Sequence, residues 1–257
     1  MKPSAKQTYT RTGASFTKEV KVRGRDLVNE LMGSVNFTQM LYFLTCDRMP
    51  TGVQCEILDA CLVTLMEHGL TPSAVITRLM AMSVPEEPQV AISSGLLAIG
   101  SVYAGTTEQC AALLLEIEQR IKDTENVDAV LQDIVVQYKR ERRALPGFGH
   151  GTHEPDDPRA LQLFRIASEL NCAGGYVRLV QRLGREVDKQ YGHHITINAT
   201  GAIAALLLAI DVPVAAIRGY SVVSRAAGLA GHYLEELENP SGKAIWAAAK
   251  QVVPYRE

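Results

Sequence analysis

The stretch that decides the fold is Gly201-Ala202-Ile203-Ala204-Ala205-Leu206-Leu207-Leu208-Ala209-Ile210. It is apolar on every side, and its purely apolar part, Ala202 to Ile210, is about half of the ~20 residues that a membrane span requires. In a soluble chain, a helix without a polar face is one surrounded by other helices. The next segment, Pro213 to Glu238, opens on proline and carries Gly219, Ser221, Ser224, Gly228 and Gly231. Residues this small let neighbouring backbones approach closely, so the pair is expected to form a deep core or a subunit interface. Further toward the N-terminus, Cys110, Leu114, Ile117 and Ile121 recur at i, i+4, i+7 and i+11, one face of a helix. Thr106 and Gln109 stand ahead of them with the spacing of a reciprocal N-terminal cap. Within Gln54 to Glu67, a similar stripe runs through Ile57, Leu58, Cys61, Leu62 and Leu65. Pro50, Pro72, Pro85, Pro88, Pro158 and Pro213 fall between such segments, where a missing N–H costs least. Only Glu19 to Val22 alternates as a strand does, and Gly24 closes it. These patterns predict an all-α protein of about ten to twelve helices.

Composition narrows the function. A chain of 257 residues can bury roughly three-quarters of the surface its unfolded form exposes. Lys+Arg number 26 against Asp+Glu 28, which leaves no basic excess to neutralise phosphates and argues against a nucleic-acid partner. Hydrophobic residues at 47% against 21% charged exclude a disordered chain. No membrane span or signal peptide is expected, because Met1 to Lys6 is polar with no apolar stretch behind it. Cys46, Cys55, Cys61, Cys110 and Cys172 are odd in number and show no Cys-x-x-Cys, so all five are read as reduced core residues of a cytoplasmic protein. Residues 1–15 are expected to fray.

The least helical part of the second half is Leu145-Pro146-Gly147-Phe148-Gly149-His150-Gly151-Thr152-His153-Glu154-Pro155-Asp156-Asp157-Pro158-Arg159. Its glycines expose backbone N–H groups and its prolines stiffen it. It is either a long connector or a site on a rigid scaffold. His150 and His153 have a spacing that can hold a metal on a helix, but this is a loop and no further ligand completes a set, so no metal is expected. His193 and His194 are adjacent, point apart, and are read as structural or exposed. The cluster Lys139-Arg140-Glu141-Arg142-Arg143 is either a solvated helix end offsetting the dipole or a phosphate clamp. The glycine patterns follow no strand and precede no Lys-Ser/Thr, so they support neither a dinucleotide fold nor a P-loop.

Gly147-Phe148-Gly149-His150 followed by Asp157-Pro158-Arg159 resembles the signature loop of the citrate synthase family. Four further segments agree in order. They are Val22 to Leu27, Asn36-Phe37 to Thr45, Glu67-His68-Gly69 with Pro72-Ser73-Ala74, and Ser224-Arg225-Ala226-Ala227-Gly228 to Glu235. The chain is most similar to the short citryl-CoA lyase-like branch. The resemblance implies a citrate synthase-like fold, with a large helical domain (16–144 and 195–257) and a smaller inserted one (145–194). It implies a homodimer or higher homo-oligomer, a coenzyme A thioester as substrate, and a carboxylic or keto acid beside it. It makes His150 the group at the hydroxyl or keto oxygen. Arg159, Arg225 and His68 become carboxylate holders, with His153 and Asn198 as further substrate contacts. Gly149, Gly151 and Thr152 would lie against coenzyme A, and Arg142 and Arg143 would clamp its phosphates. His232 would be a packing residue.

Two positions depart from the family pattern. Tyr103 stands where the enolate-stabilising histidine belongs, and Thr200 where the acid/base aspartate belongs. A tyrosine can still donate a hydrogen bond to an enolate, whereas threonine cannot exchange a proton with carbon near neutral pH. Condensation requires a carbon base; cleavage starts by deprotonating a hydroxyl, which His150 is expected to do while Thr200 positions water. The favoured expectation is therefore a citryl-CoA lyase-like carbon–carbon lyase. The alternatives are a condensing acyltransferase of the citrate synthase type and a non-catalytic CoA- or carboxylate-binding subunit.

Overall fold

A computed structural model describes residues 8–102, 105–122, 124 and 126–256. Among them are eleven α-helices, one π-helical turn and three short strands, so the all-α expectation holds with a small sheet added. Two compact units divide the chain, residues 1–56 and 57–257.

In the first unit, β1 (Gly13–Ser15), β2 (Val20–Val22) and β3 (Arg25–Asp26) form an antiparallel sheet in that order. The strand expected at Glu19 to Val22 is β2. It has two partners that the alternation did not reveal, and β1 lies at the end of the segment expected to fray. Arg23 and Gly24 both take positive φ, the two-residue turn whose twist suits a hairpin. Asp26 then accepts from the amides of Val28 and Asn29 and caps the π-helical turn Leu27–Leu31. A reciprocal cap of Asn36 and Gln39 starts α1 (Phe37–Cys46). Helix α2 (Gly52–Met66) begins here and continues into the second unit.

The second unit contains α3 (Pro72–Ser83), α4 (Pro88–Leu97), α5 (Thr106–Lys122), α6 (Val127–Arg140), α7 (Pro158–Glu169), α8 (Gly175–Tyr191), α9 (Ala199–Ala209), α10 (Val214–Glu238) and α11 (Gly242–Val252). Helix α9 is the apolar segment, and it packs on α5, α7, α8 and α10. Every side chain from Gly201 to Leu208 is buried, as a helix without a polar face requires. A second core joins α5, α6 and α8 through Leu113, Ile117, Leu131, Ile134, Leu183 and Val187. The α2 stripe of Ile57, Leu58, Cys61, Leu62 and Leu65 is buried residue for residue.

Two local expectations are corrected. Thr106 lies inside α5 and forms no reciprocal cap; its hydroxyl donates to Thr200 Oγ1, and Gln109 donates to the Ser101 carbonyl. Of the five cysteines only Cys61 and Cys110 are core residues, and Cys46, Cys55 and Cys172 are half-buried. Burial pushes the Cys110 thiol up to about 12, which leaves it protonated.

Candidate active site

The loop between α6 and α7 is held by the segment that leads into α9. Gly149 N donates to Thr196 O at 2.8 Å, Asn198 N donates to Gly147 O at 3.0 Å, and Asn198 Nδ2 donates to Gly149 O at 2.8 Å. Gly147 takes φ +87°, and a Cβ there would stand 2.8 Å from Gly201 Cα. A Cβ on Gly201 would stand 2.4 Å from Gly147 O. Loop and helix start therefore touch backbone to backbone, and both positions must lack a side chain.

Asp157 is the buried anchor. It caps α7, its Oδ1 accepts from Arg159 N and Nε at 3.0 Å each, and its Oδ2 accepts from Arg159 Nη2 at 2.8 Å and Ala199 N at 2.9 Å. Burial alone would raise this carboxyl; the Arg159 hydrogen bonds and the Ala199 amide outweigh it and hold it below the ordinary range. The planar guanidinium is thereby fixed with its outer edge toward His150, Nη2 lying 3.3 Å from Nε2.

His150 Nδ1 accepts from the amides of Thr152 and His153 at 3.0 and 3.1 Å. A neutral imidazole has one acceptor and one N–H, so this ring carries its proton on Nε2. Nε2–H and the Arg159 Nη2 are both donors, and a guest between them must be an acceptor. Two further rings stand close. The His150–His153 centroids are 4.4 Å apart, and His68 is 5.5 Å from each. Burial first, then the neighbouring cations and rings, hold His68 and His150 below the ordinary imidazole value, so both are neutral at pH 7.

His68 is the third ring that the sequence did not bring to His150 and His153, and one nitrogen from each lies within 4.8 Å of the others. A metal-bound imidazole donates its second N–H to an acceptor. His150 does the reverse, and with its proton on Nε2 it has no lone pair for a cation there. The His150 Nε2–H and the Arg159 guanidinium together fit an oxyanion.

His68 rides on a turn clamped by Glu67, whose Oε1 accepts from the amides of His68 and Gly69 at 2.9 and 2.5 Å. His232 Nε2 lies 3.0 Å from the Glu67 carboxylate, and Arg78 Nε donates to His232 Nδ1 at 3.0 Å. Arg78 is buried and also pairs with Glu235, Glu236 and Ser241. His232 is thus a member of a buried charged network, a correction to its reading as a packing residue. Arg225, on α10, is half-buried with Nη1 buried and without a hydrogen-bond partner among the described residues.

Thr200 Oγ1 donates to Asn198 Oδ1 at 2.7 Å and accepts from Thr106 Oγ1 at 3.2 Å. Tyr103 lies outside the described residues. A cleft of about 720 Å³ opens beside the loop, lined by Gly149, His150, His153, His193, His194 and Thr196 among others. Gly151 and Thr152 are exposed on the same loop, and Arg142 is exposed at the end of α6. Arg143 pairs with Glu141 at 2.8 Å and stacks over the Tyr138 ring at 4.5 Å, at the wall of a separate cleft of about 540 Å³ with Gln109, Glu116 and Pro146.

The family model described as citrate synthase, C-terminal domain, matches residues 11–246. The chain belongs to the citrate synthase family. Among relatives, the citrate synthase of Helicobacter pylori is 28% identical over 204 residues, covering 75% of this chain and 46% of that protein. The citrate/2-methylcitrate synthase of Bacillus subtilis is 28% identical over 211 residues, covering 80% and 53%. The chain spans about half the length of the curated relatives it matches. Among solved structures, citryl-CoA lyase from Hydrogenobacter thermophilus superposes with a TM-score of 0.85 at 26% identity, covering 98% of this chain and 95% of that one. ATP citrate lyase from Methanosaeta concilii, in complex with (3S)-citryl-CoA, gives 0.78 at 16% identity and shares the fold, covering 98% of this chain and 42% of that one. The citrate synthase-like fold expected from the ordered motifs is therefore the observed one. No described helix is long and apolar enough to cross a membrane.

What sequence reasoning missed are Asp157 as the buried link between α7 and α9, and the Arg78–His232–Glu67 network beneath His68. The Asp-Pro-Arg motif marks the first. Arg78 and His232 are 154 residues apart, and no local signal joins them.

Proposed function

We propose that the chain is a carbon–carbon lyase for citryl-CoA or a similar 3-hydroxy-acyl-CoA. The observation that carries this reading is a pair of donors at one oxyanion position, with threonine at the place of a carbon base. His150 Nε2–H and Arg159 Nη2 converge on one side, and Thr200 has its hydroxyl tied to Asn198 and Thr106. Substrate carboxylates would pair with Arg159, Arg225 and His68, since a guanidinium offers paired donors in a plane. Asn198 acts through the loop by holding the Gly149 carbonyl. The coenzyme A chain would run along Gly149, Gly151 and Thr152, with its phosphates toward Arg142 and Arg143. Tyr103 would donate to the thioester enolate oxygen. Residues 145–194 would close over the bound thioester as a smaller domain, in a homodimer.

Cleavage asks less of this site than condensation does. Breaking the bond needs the hydroxyl proton removed and the alkoxide stabilised, and donors that strengthen as charge develops supply the second requirement. Condensation needs a proton pulled from the thioester α-carbon, and Thr200 does not supply a base for that.

The test is turnover of citryl-CoA followed by release of a thioester and a keto acid, with acetyl-CoA plus oxaloacetate as the opposing assay. Cleavage lost by about 100-fold or more in His150→Ala supports the reading. Condensation as fast as cleavage, or binding of citryl-CoA without turnover, sinks it in favour of a synthase or a non-catalytic subunit respectively.

A further inference from the structure

Cleavage of a 3-hydroxy-acyl-CoA needs a lone pair to receive the hydroxyl proton, and most groups of the site have none to spare. His150 carries its proton on the nitrogen that faces Arg159, because its other nitrogen accepts from two amides. Asp157 is saturated by Arg159 and the Ala199 amide, and Glu67 by the amides of its own turn and His232. Thr200 gives its proton to Asn198. Of the three clustered rings two remain, His68 and His153; Glu154, His193 and His194 line the same cleft outside that cluster. The field of the Arg225 and Arg159 cations reaches His68, which suits a carboxylate holder. His153 lines the loop-side cleft together with His150, and its Nε2 is buried with no hydrogen-bond partner among the described residues. A buried polar atom without a partner calls for one, and beside a cleft a bound substrate is a partner it can take.

We propose that His153 is the general base that takes the substrate's hydroxyl proton, with His150 as the donor that holds the resulting oxygen. This rests on the lyase reading above. The two rings stand side by side, their centroids 4.4 Å apart, and both line the same cleft, so one substrate oxygen can meet both. The pair is built in one turn, since the His153 amide is itself one of the donors that set the His150 tautomer. In the step, the O–H bond breaks and its proton goes to the His153 ring. The oxygen lone pair forms the ketone, and the carbon–carbon σ pair becomes the thioester enolate. Water protonates the enolate carbon, and the hydroxide left behind is neutralised by the proton His153 releases, so no co-reactant is consumed.

The experiment compares citryl-CoA cleavage by the full chain with that of His153→Ala and His153→Gln, each checked for an unchanged thermal melt. The expected result is kcat lower by about 100-fold or more with KM within about threefold. Added imidazole should restore part of the rate to His153→Ala, and none to wild type. A folded His153→Ala that cleaves within about threefold of wild type overturns the assignment of His153 and leaves the lyase reading standing. Rate lost without any imidazole rescue also overturns it, because a purely structural residue behaves so. Wild type that binds citryl-CoA in a thermal shift but does not cleave it overturns both.

Discussion

Asp157 is the residue on which the site's geometry turns. It is fully buried, yet it accepts four hydrogen bonds, three of them from one arginine. Removing one partner of a buried pair leaves the other desolvated and uncompensated, so Asp157→Ala is expected to cost about 3 kcal/mol in urea unfolding. A loss below about 1 kcal/mol would mean that Arg159 finds another partner. Its pH sign follows from a pKa held below the unfolded value. The contribution is complete above about pH 4 and is lost as pH falls through the folded pKa. The Asp-Pro-Arg motif made Asp157 and Arg159 legible as a pair, but not as the tie between two helix starts. That Glu67, His232 and Arg78 join was illegible for a physical reason. A charged residue on a helix, as Arg78 is on α3, looks like part of a solvated face until a distant segment covers it.

Among the elements, the α6–α7 loop and α9 are a single assembly. Gly201→Ala would press a methyl against the Gly147 carbonyl and force the loop outward, and overpacking of this kind costs about 1–3 kcal/mol. A crystal structure or backbone amide shifts of the variant should show His150 displaced; an unmoved loop would refute the backbone-contact account. From its other side the loop is tied to α8. His194 bridges Asp188 at 2.7 Å and Asp156 at 3.1 Å. The Asp188 hydrogen bond leads the causes that raise the His194 pKa, so the charged ring's hold is complete below about pH 6.5 and fades as pH rises through the higher folded value. Hydrogen exchange of residues 150–157 should accelerate in His194→Ala at pH 6, and the difference from wild type should shrink by pH 9. Equal protection in the two proteins at pH 6 would rule the tie out. Thr106 makes the same point about elements. Its local spacing offered a cap, and a tertiary partner, Thr200, took the hydroxyl instead.

For the whole molecule, residues 57–257 surround one apolar helix with four others and add a second core of α5, α6 and α8. That scaffold places the start of α9 against the loop, and on the proposed lyase reading the residue at position 200 would set the direction of chemistry. Thr200→Asp would put a carboxylate beside the Thr106 hydroxyl, and solvent deuterium should then enter the methyl group of acetyl-CoA at least about tenfold faster than in wild type. Wild-type exchange already at the variant's rate would place a carbon base elsewhere. Sedimentation at micromolar concentration should give twice the 28.0 kDa chain mass for the proposed homodimer, and a single chain mass would exclude it.

The helical class, the buried stripe of α2, the enclosed α9 and the loop that bears His150 can all be read along the chain. Each of these is written in nearest-neighbour chemistry: 3.6-residue periodicity, proline positions, and glycines where backbone must bend. Only the tertiary structure decided that His68 joins His150 and His153, that Asp157 is shared between α7 and α9, and that His150 is a donor in its neutral form. Those outcomes depend on which amides and cations long-range packing brings to a ring, and pairings across a hundred residues leave no period in the chain.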